Sequence, residues 1–501
     1  MARPRPERRR AAAPLPPRPL ERLVSARGLP VLTALFAALA LALYAPVQML
    51  THALEWQIFG ARTTGYHVVN VLLHALGAAL LALVFADAGL SAAAAAFGAL
   101  LFLVHPANVE AVAWISQLKS PSCFVLSMCA LLARRRRPAL AAACFGLALL
   151  AKPTAAFALP VAALLDWSQR EPLRWRWLAL WAALFAAYAG AEFWTHQRSG
   201  AAEAMAEPAV RLRTSVAIAA RYLWMSATSL GVSTFHEPAP SSGWGDPLWL
   251  AGFSAIAALG ARLVVALWRR SPEAAFWAWA AVSFLPVSQI FPFLYPMADR
   301  YLYFILPGLI GGALFALRGT AERLGARLAP MQRRRAAVVA ALGLAALFAA
   351  RSASRAAIWA SPAAILRDSA EHYPDGKTAH LVRARRAAQL GDADTAVANL
   401  RAAFAGGFNR YEQLQSDPAF DPIRDDARFR ALVRDIAGWW VDHVSAIPNP
   451  TQIELRTLAA AQLARGDREA ALASLGRALA RGGPLDARLR EEIEQVRAQS
   501  P

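Results

Sequence analysis

The sequence predicts an all-α protein: a polytopic helical membrane bundle of about eleven spans, followed by a soluble helical repeat domain. Three observations lead there. Of 501 residues, 57% are hydrophobic and only 17% charged, which a soluble chain of this size seldom needs. Apolar runs alternate with arginine clusters as far as residue 350, and beyond Arg351 the chain turns polar with a helical period.

Taken in order, residues 1–28 (MARPRPERRRAAAPLPPRPLERLVSARG) are too long and irregular for the basic region of a secretory signal, and are expected to be a disordered basic cytoplasmic tail. Residues 29–350 form the membrane domain. Its apolar runs lie at about 30–46, 66–86, 90–104, 121–133, 138–151, 154–167, 177–194, 248–268, 274–294, 301–317 and 336–350. Several are shorter than the roughly 20 residues that cross a hydrocarbon core, so polar flanks or neighbouring helices must complete them.

Orientation follows from charge. The tail to Arg27, the run Arg134 to Arg137, the group Arg170, Arg174 and Arg176, the pair Arg269 and Arg270, and the stretch from Arg318 to Arg335 fall on one side of an eleven-span arrangement. Basic loops face the cytoplasm. The formal net charge of +19 is therefore read as membrane topology, and no nucleic-acid partner is expected. The far face then carries residues 47–65, HPANVEAVAWISQLKS, the turn at Lys152, the stretch 195–247 and YPMADRY. Within 195–247, RLRTSVAIAARYLWMSATSLG is amphipathic and is expected to lie in the interface or to re-enter. Cys123, Cys129 and Cys144 show no zinc-ligand spacing and read as small core residues.

After a linker at 351–375, residues 376–501 contain an internal repeat. AHLVRARRAAQLGDADTAVANLRAAFAGG superposes on LRTLAAAQLARGDREAALASLGRALARGG, matching Gly391-Asp392 to Gly466-Asp467, Ala396 to Ala471 and Leu400 to Leu475. Two helices joined at Gly-Asp, with small residues where they approach, resemble tetratricopeptide repeats and imply a protein partner.

Polar residues with chemical potential lie where the apolar runs break on the far face. His105-Pro106 ends a span, and Glu110 and Trp114 follow near headgroup level. Lys152 interrupts an apolar stretch with no acidic neighbour in sequence; an anionic headgroup or phosphate is its natural partner, snorkelling its bland alternative. Asp299 and Arg300 open another span beside Tyr295, Tyr301 and Tyr303. Arginine grips phosphate in a bidentate way, with Asp299 as a candidate ion-pair partner holding it. No outer loop gathers acidic ligands for a metal, and no cofactor is expected.

YHVVNVLLHAL from Tyr66, HPANVEAVAWIS from His105, LLAKPTAAFALPVAALLDW from Leu149 and PMADRYLYFILPG from Pro296, in this order and with the repeats, resemble the GT-C-fold glycosyltransferases that use polyprenyl-phosphate sugars. The likeness is to the branch with C-terminal tetratricopeptide repeats, related to protein O-mannosyltransferases. It implies transfer of a sugar from a lipid phosphate to a hydroxyl, commonly of Ser or Thr. The donor is a lipid-linked sugar, the setting the inner membrane of a bacterium, with the N-terminus cytoplasmic and the repeats extracytoplasmic. Lys152, Arg300, His105, Asp299 and Tyr301 then form the substrate-binding set. Such enzymes place an acidic pair in the first outer loop, and this chain has only Glu55 there. Three readings stay open: Glu55 or Glu110 serves as general base, transfer has been lost, or the chain's start is displaced. The competing function is a non-catalytic membrane anchor for repeats that bind proteins. A transporter finds no support in paired broken helices.

Overall fold

The computed structural model describes residues 47–196, 207–290, 295–325 and 329–498, so the expected tail and the first expected span, 30–46, lie outside the described residues. Every described element is helical. The chain divides into two units, residues 1–60 and 61–501.

In the first unit, α1 (Val47–Phe59) replaces the loop expected over 47–65. VQMLTHALEWQIF has no helix breaker, and the helix stops at Gly60, whose φ of +55° suits a residue without a Cβ.

The second unit opens with α2 (Thr63–Asp87) and α3 (Ala92–Leu103), the latter capped by Ser91, whose hydroxyl accepts from the Ala94 N–H at 3.3 Å. Pro106 then stops the apolar run as its missing N–H requires. A 3-10 turn at Pro106–Asn108 leads into the short α4 (Val109–Ala113), and the path bends by 52°. The bundle continues through α5 (Lys119–Ala133), α6 (Pro138–Ala151), α7 (Ala158–Ser168), α8 (Trp175–His196), α9 (Pro208–Thr228), α10 (Pro247–Trp268), α11 (Glu273–Phe284), α12 (Asp299–Gly325) and α13 (Pro330–Ile358).

Among the described residues five stretches are long and apolar enough to cross a membrane: Thr63–Asp87, Ile115–Ala133, Pro247–Trp268, Asp299–Arg318 and Arg334–Ile358. The bent pair of α3 with Pro106–Ala113 makes a sixth if taken as one span, while α6 and Glu273–Val287 are apolar but shorter. Several apolar helices are thus compatible with a multi-pass membrane protein.

Small residues let the helices approach. At Gly308 a Cβ would meet the Ala280 nitrogen at 2.5 Å and the Phe276 carbonyl at 2.6 Å, so the α11 and α12 backbones are almost in contact. Around this crossing the rings of Phe157 and Trp279 stack at 4.5 Å, and Phe124 meets Tyr303 edge-on at 5.5 Å.

Charge marks one end of the bundle. Arg134 pairs with Asp87 at 2.8 Å and Asp166 at 2.9 Å, and Arg135 reaches Asp166 at 2.8 Å. Arg270 lies 4.8 Å over the Trp167 ring. The ends of α2, α5, α7 and α10 therefore gather together.

The stretch expected as a linker is helical. α13 runs on to Ile358 and α14 (Pro362–His372) follows. Then come α15 (Lys377–Gln389), α16 (Ala393–Ala405), α17 (Tyr411–Ser416), α18 (Ala427–Ser445), α19 (Gln452–Arg465), α20 (Arg468–Ala480) and α21 (Asp486–Ala498). Between α15 and α16, and again between α19 and α20, a glycine with left-handed backbone precedes an aspartate cap. Gly391 has φ +76° and Gly466 φ +88°; Asp392 accepts from the Thr395 N–H at 3.0 Å and Asp467 from the Ala470 N–H at 3.1 Å. Ala384, Ala388, Ala396, Leu400 and Ala403 are fully buried where the first pair packs.

Candidate functional site: a cation cluster beside an apolar cleft

The segment from His105 to Trp114 is held at three points. His105 caps the 3-10 turn, its Nδ1 accepting from the Ala107 N–H at 3.2 Å while Nε2 donates to the Ser226 carbonyl of α9 at 3.2 Å. Asn108 donates to the Phe102 carbonyl at 2.6 Å, and Asn70 of α2 donates to the Val112 carbonyl at 3.2 Å. Both His105 nitrogens are thus engaged by main chain, and the residue fixes the turn.

The start of α12 is fixed as firmly. Tyr222 of α9 accepts from the Ala298 N–H at 3.0 Å and donates to the Ala298 carbonyl at 3.1 Å. His74 of α2 donates to the Leu103 carbonyl at 3.0 Å and accepts from the Tyr303 hydroxyl at 2.9 Å. These ties bring Arg300 up against Glu110.

Glu110 and Arg300 form a buried pair. The Arg300 main-chain N–H donates to Glu110 Oε2 at 2.7 Å, and the guanidinium pairs with Oε1. Three rings surround that guanidinium: Tyr295 at 4.6 Å, Tyr301 at 5.0 Å and Trp114 at 5.5 Å. Asp299 is not the partner of Arg300, contrary to the expectation from their adjacency. It accepts from His236 Nε2 at 2.6 Å and from the Ser233 N–H at 3.4 Å. Neighbouring residues on a helix project about 100° apart, so the two face different ways.

Lys152 lies in the turn after α6, outside the five spanning stretches. Its Nζ donates to the Ser120 hydroxyl at 2.9 Å and sits 5.0 Å over the Phe304 ring. Burial pushes its ammonium down to about 7; Lys119 and Arg300 add to the fall, while Cys123 and Glu110 oppose it. The same interactions place Lys152 within electrostatic reach of Lys119, Arg300 and Glu110, and Lys119 within reach of Arg300. Lys119, Lys152 and Arg300 therefore lie within electrostatic reach of one another, and Arg300 carries the carboxylate of Glu110 with it. Lys119 was not singled out from sequence, yet it carries the signal that marked Lys152: a basic residue at the edge of an apolar run with no acidic neighbour.

Glu55, the other candidate base, belongs to the first unit. It meets His52 Nδ1 at 2.8 Å, and among the described residues its Oε1 has no hydrogen-bond partner.

Next to the cluster lies a cleft of about 500 Å³, lined by His67 and Val71 of α2, Val109 of α4, Ser352 and Ala356 of α13, and Trp359. Its walls are mostly apolar. Trp359 stacks on Trp114 at 5.9 Å, and Trp114 lies 5.5 Å from the Arg300 guanidinium, so one ring pair connects the cleft wall to Arg300.

The residues 229–241 tie this region to the helices beyond the bundle. His236 Nδ1 meets the Tyr373 hydroxyl at 2.7 Å, and the Thr234 N–H donates to Asp368 at 2.9 Å, a carboxylate that Arg355 also grips. Glu237 accepts from the Thr378 hydroxyl at 2.6 Å. No single stretch of sequence carries these partners, which explains why His236 and Tyr373 escape a reading along the chain.

The arrangement suits an anion at the three cations with an apolar tail in the cleft. Among the described residues no group of His, Cys, Asp and Glu side chains is arranged to hold a metal ion. Comparison of the chain with protein families, with curated proteins and with solved structures finds no match.

Proposed function

We propose that this protein is a membrane glycosyltransferase that moves a sugar from a polyprenyl-phosphate donor to a hydroxyl of an extracytoplasmic acceptor. The observation that carries the reading is the gathering of Lys119, Lys152 and the Arg300–Glu110 pair beside an apolar cleft. The lipid phosphate binds the cations and the isoprenoid lies in the cleft. In the free protein both Glu110 oxygens are held by Arg300. Glu110 therefore acts as general base only once a donor phosphate draws the guanidinium away from Oε1. Lys152 and Arg300 then stabilise the charge that develops on the departing phosphate.

The finer architecture belongs to the same proposal: about eleven spans, a cytoplasmic N-terminus, a bacterial inner membrane, and α15 to α21 as a tetratricopeptide-like domain that presents the acceptor or a protein partner. The Gly-Asp turns that repeat between α15 and α16 and between α19 and α20 support that domain assignment.

A second reading is a non-catalytic anchor for the repeats. The full engagement of Glu110 by Arg300 and the lack of a first-loop acidic pair favour it. The test is transfer of labelled sugar from a polyprenyl-phosphate hexose to a Ser/Thr-rich peptide by the full chain in lipid nanodiscs. Transfer that Glu110→Gln abolishes, with the protein still folded, supports the enzyme. Folded protein that binds the lipid donor yet transfers nothing supports the anchor.

A further inference from the structure

We infer that Lys119 and Lys152 make this site prefer a phosphate carrying two negative charges over one carrying a single charge, so that it holds a lipid phosphomonoester more tightly than the intact phosphodiester. The inference rests on the site being the lipid-phosphate site proposed above, and it adds a role for Lys119 and a direction of preference.

Arg300 is compensated by Glu110, and Asp299 is occupied by His236. That leaves the two lysines. Among the described residues no ion pair joins either of them to a carboxylate. Lys152 Nζ donates to Ser120 in the first turn of α5 at 2.9 Å, and Lys119, which opens that turn, lies within electrostatic reach of it. Ser120 in turn donates to Gln117 Oε1 at 3.2 Å, which orients its oxygen toward the lysine. Two like charges kept together at a partly buried position repel one another, and a bound anion relieves that repulsion. An anion also favours the protonated form of Lys152, and with both lysines charged a monoanion compensates half of the excess, a dianion all of it.

The same excess bears on the reaction. The donor phosphodiester carries one negative charge. When the bond between the anomeric carbon and the phosphate oxygen breaks, its electron pair stays on that oxygen, and the leaving group becomes a phosphomonoester dianion. The acceptor oxygen forms the new bond to the anomeric carbon, and its proton passes to Glu110. A site with two uncompensated lysines favours the state in which the second negative charge has appeared.

The experiment measures binding to the detergent-solubilised full chain at pH 7, with three probes: farnesyl monophosphate, its methyl phosphodiester and inorganic phosphate. At that pH the monoester is mostly dianionic, its second pKa lying near about 6. The expected result is a monoester bound about tenfold more tightly than the diester. Lys119→Gln brings the two within about twofold of each other, and Lys119→Arg keeps the preference. Equal binding of the two lipids by the wild-type chain, or an equal loss of both in Lys119→Gln, overturns the inference and leaves the proposed function standing. Failure of both lipids to bind overturns the inference and the proposed function together. Inorganic phosphate competing as well as the monoester makes this a free-phosphate site and overturns the lipid assignment.

Discussion

Arg300 reaches Glu110 twice, through its main-chain N–H at 2.7 Å and through its guanidinium, across 190 residues of sequence. One carboxylate thus fixes both the first turn of α12 and the side chain that projects from it. Glu110→Ala leaves a guanidinium enclosed by three rings with no counter-ion, and removing one member of a buried pair costs about 3–5 kcal/mol. Thermal unfolding in detergent should show that loss, and Glu110→Gln with Arg300→Gln together should lose less than the sum of the two single changes. Additive losses would mean the pair does not act as a unit.

The crossing of α11 and α12 offers a test of backbone contact. Gly308 faces the Ala280 nitrogen and the Phe276 carbonyl, neither of which can rotate away, whereas nothing lies within 4 Å of a Cβ added at Gly343 in α13. Gly308→Ala should destabilise by about 1–3 kcal/mol. Gly343→Ala should be neutral or slightly stabilising, since alanine is the better helix former. Unfolding temperatures of the two variants check this, and equal values would refute the close approach.

The segment 229–241 is sensitive to acid through Asp368. Burial pushes that carboxyl up, but the Arg355 guanidinium and the Thr234 N–H outweigh it and hold Asp368 below its ordinary value of 3.8. A depressed carboxyl stabilises above its unfolded value, and the contribution disappears as pH falls through the folded one. Hydrogen exchange at Thr234 should therefore stay slow from neutral pH down to about 4 and rise only below that range. In Asp368→Asn the exchange should be fast at every pH.

Gly466 lies at φ +88°, between α19 and its following cap, Asp467. A left-handed conformation costs a residue with a Cβ about 1–2 kcal/mol. Gly466→Ala should lower the stability of α19 to α21 by about that amount, read as faster amide exchange in those helices with the membrane bundle unchanged.

What could be read along the chain was whatever depends on near neighbours. The break at Pro106, the turn at Gly466-Asp467, and α10, which spans Pro247–Trp268 against an expected 248–268, follow from local chemistry and hydropathy. Relations across the fold were not legible. Asp299 and Arg300 look like a natural ion pair as neighbours in sequence, but the turn of the helix sends one to His236 and the other to Glu110. Residues 47–59 look like a loop between an apolar run and the next one, yet helix propensity over thirteen residues decides their form. Lys119 gains meaning only because Lys152 and Arg300 fold next to it.

The lowered value of Lys152 makes a pH prediction for ligand binding. Its ammonium titrates at about 7 in the free protein, among Lys119, Arg300, Glu110 and Cys123. A bound anion favours the charged form and raises that value, so protonation and binding assist each other. A methyl phosphodiester of farnesol keeps one negative charge over the whole range, which leaves the protein as the titrating partner. Its affinity should be highest below pH 7 and fall as pH rises above it, by up to about tenfold per unit. Lys152→Arg, charged throughout, should flatten the profile between pH 6 and 9, while a wild-type affinity that does not change over that interval would show that Lys152 does not meet the phosphate.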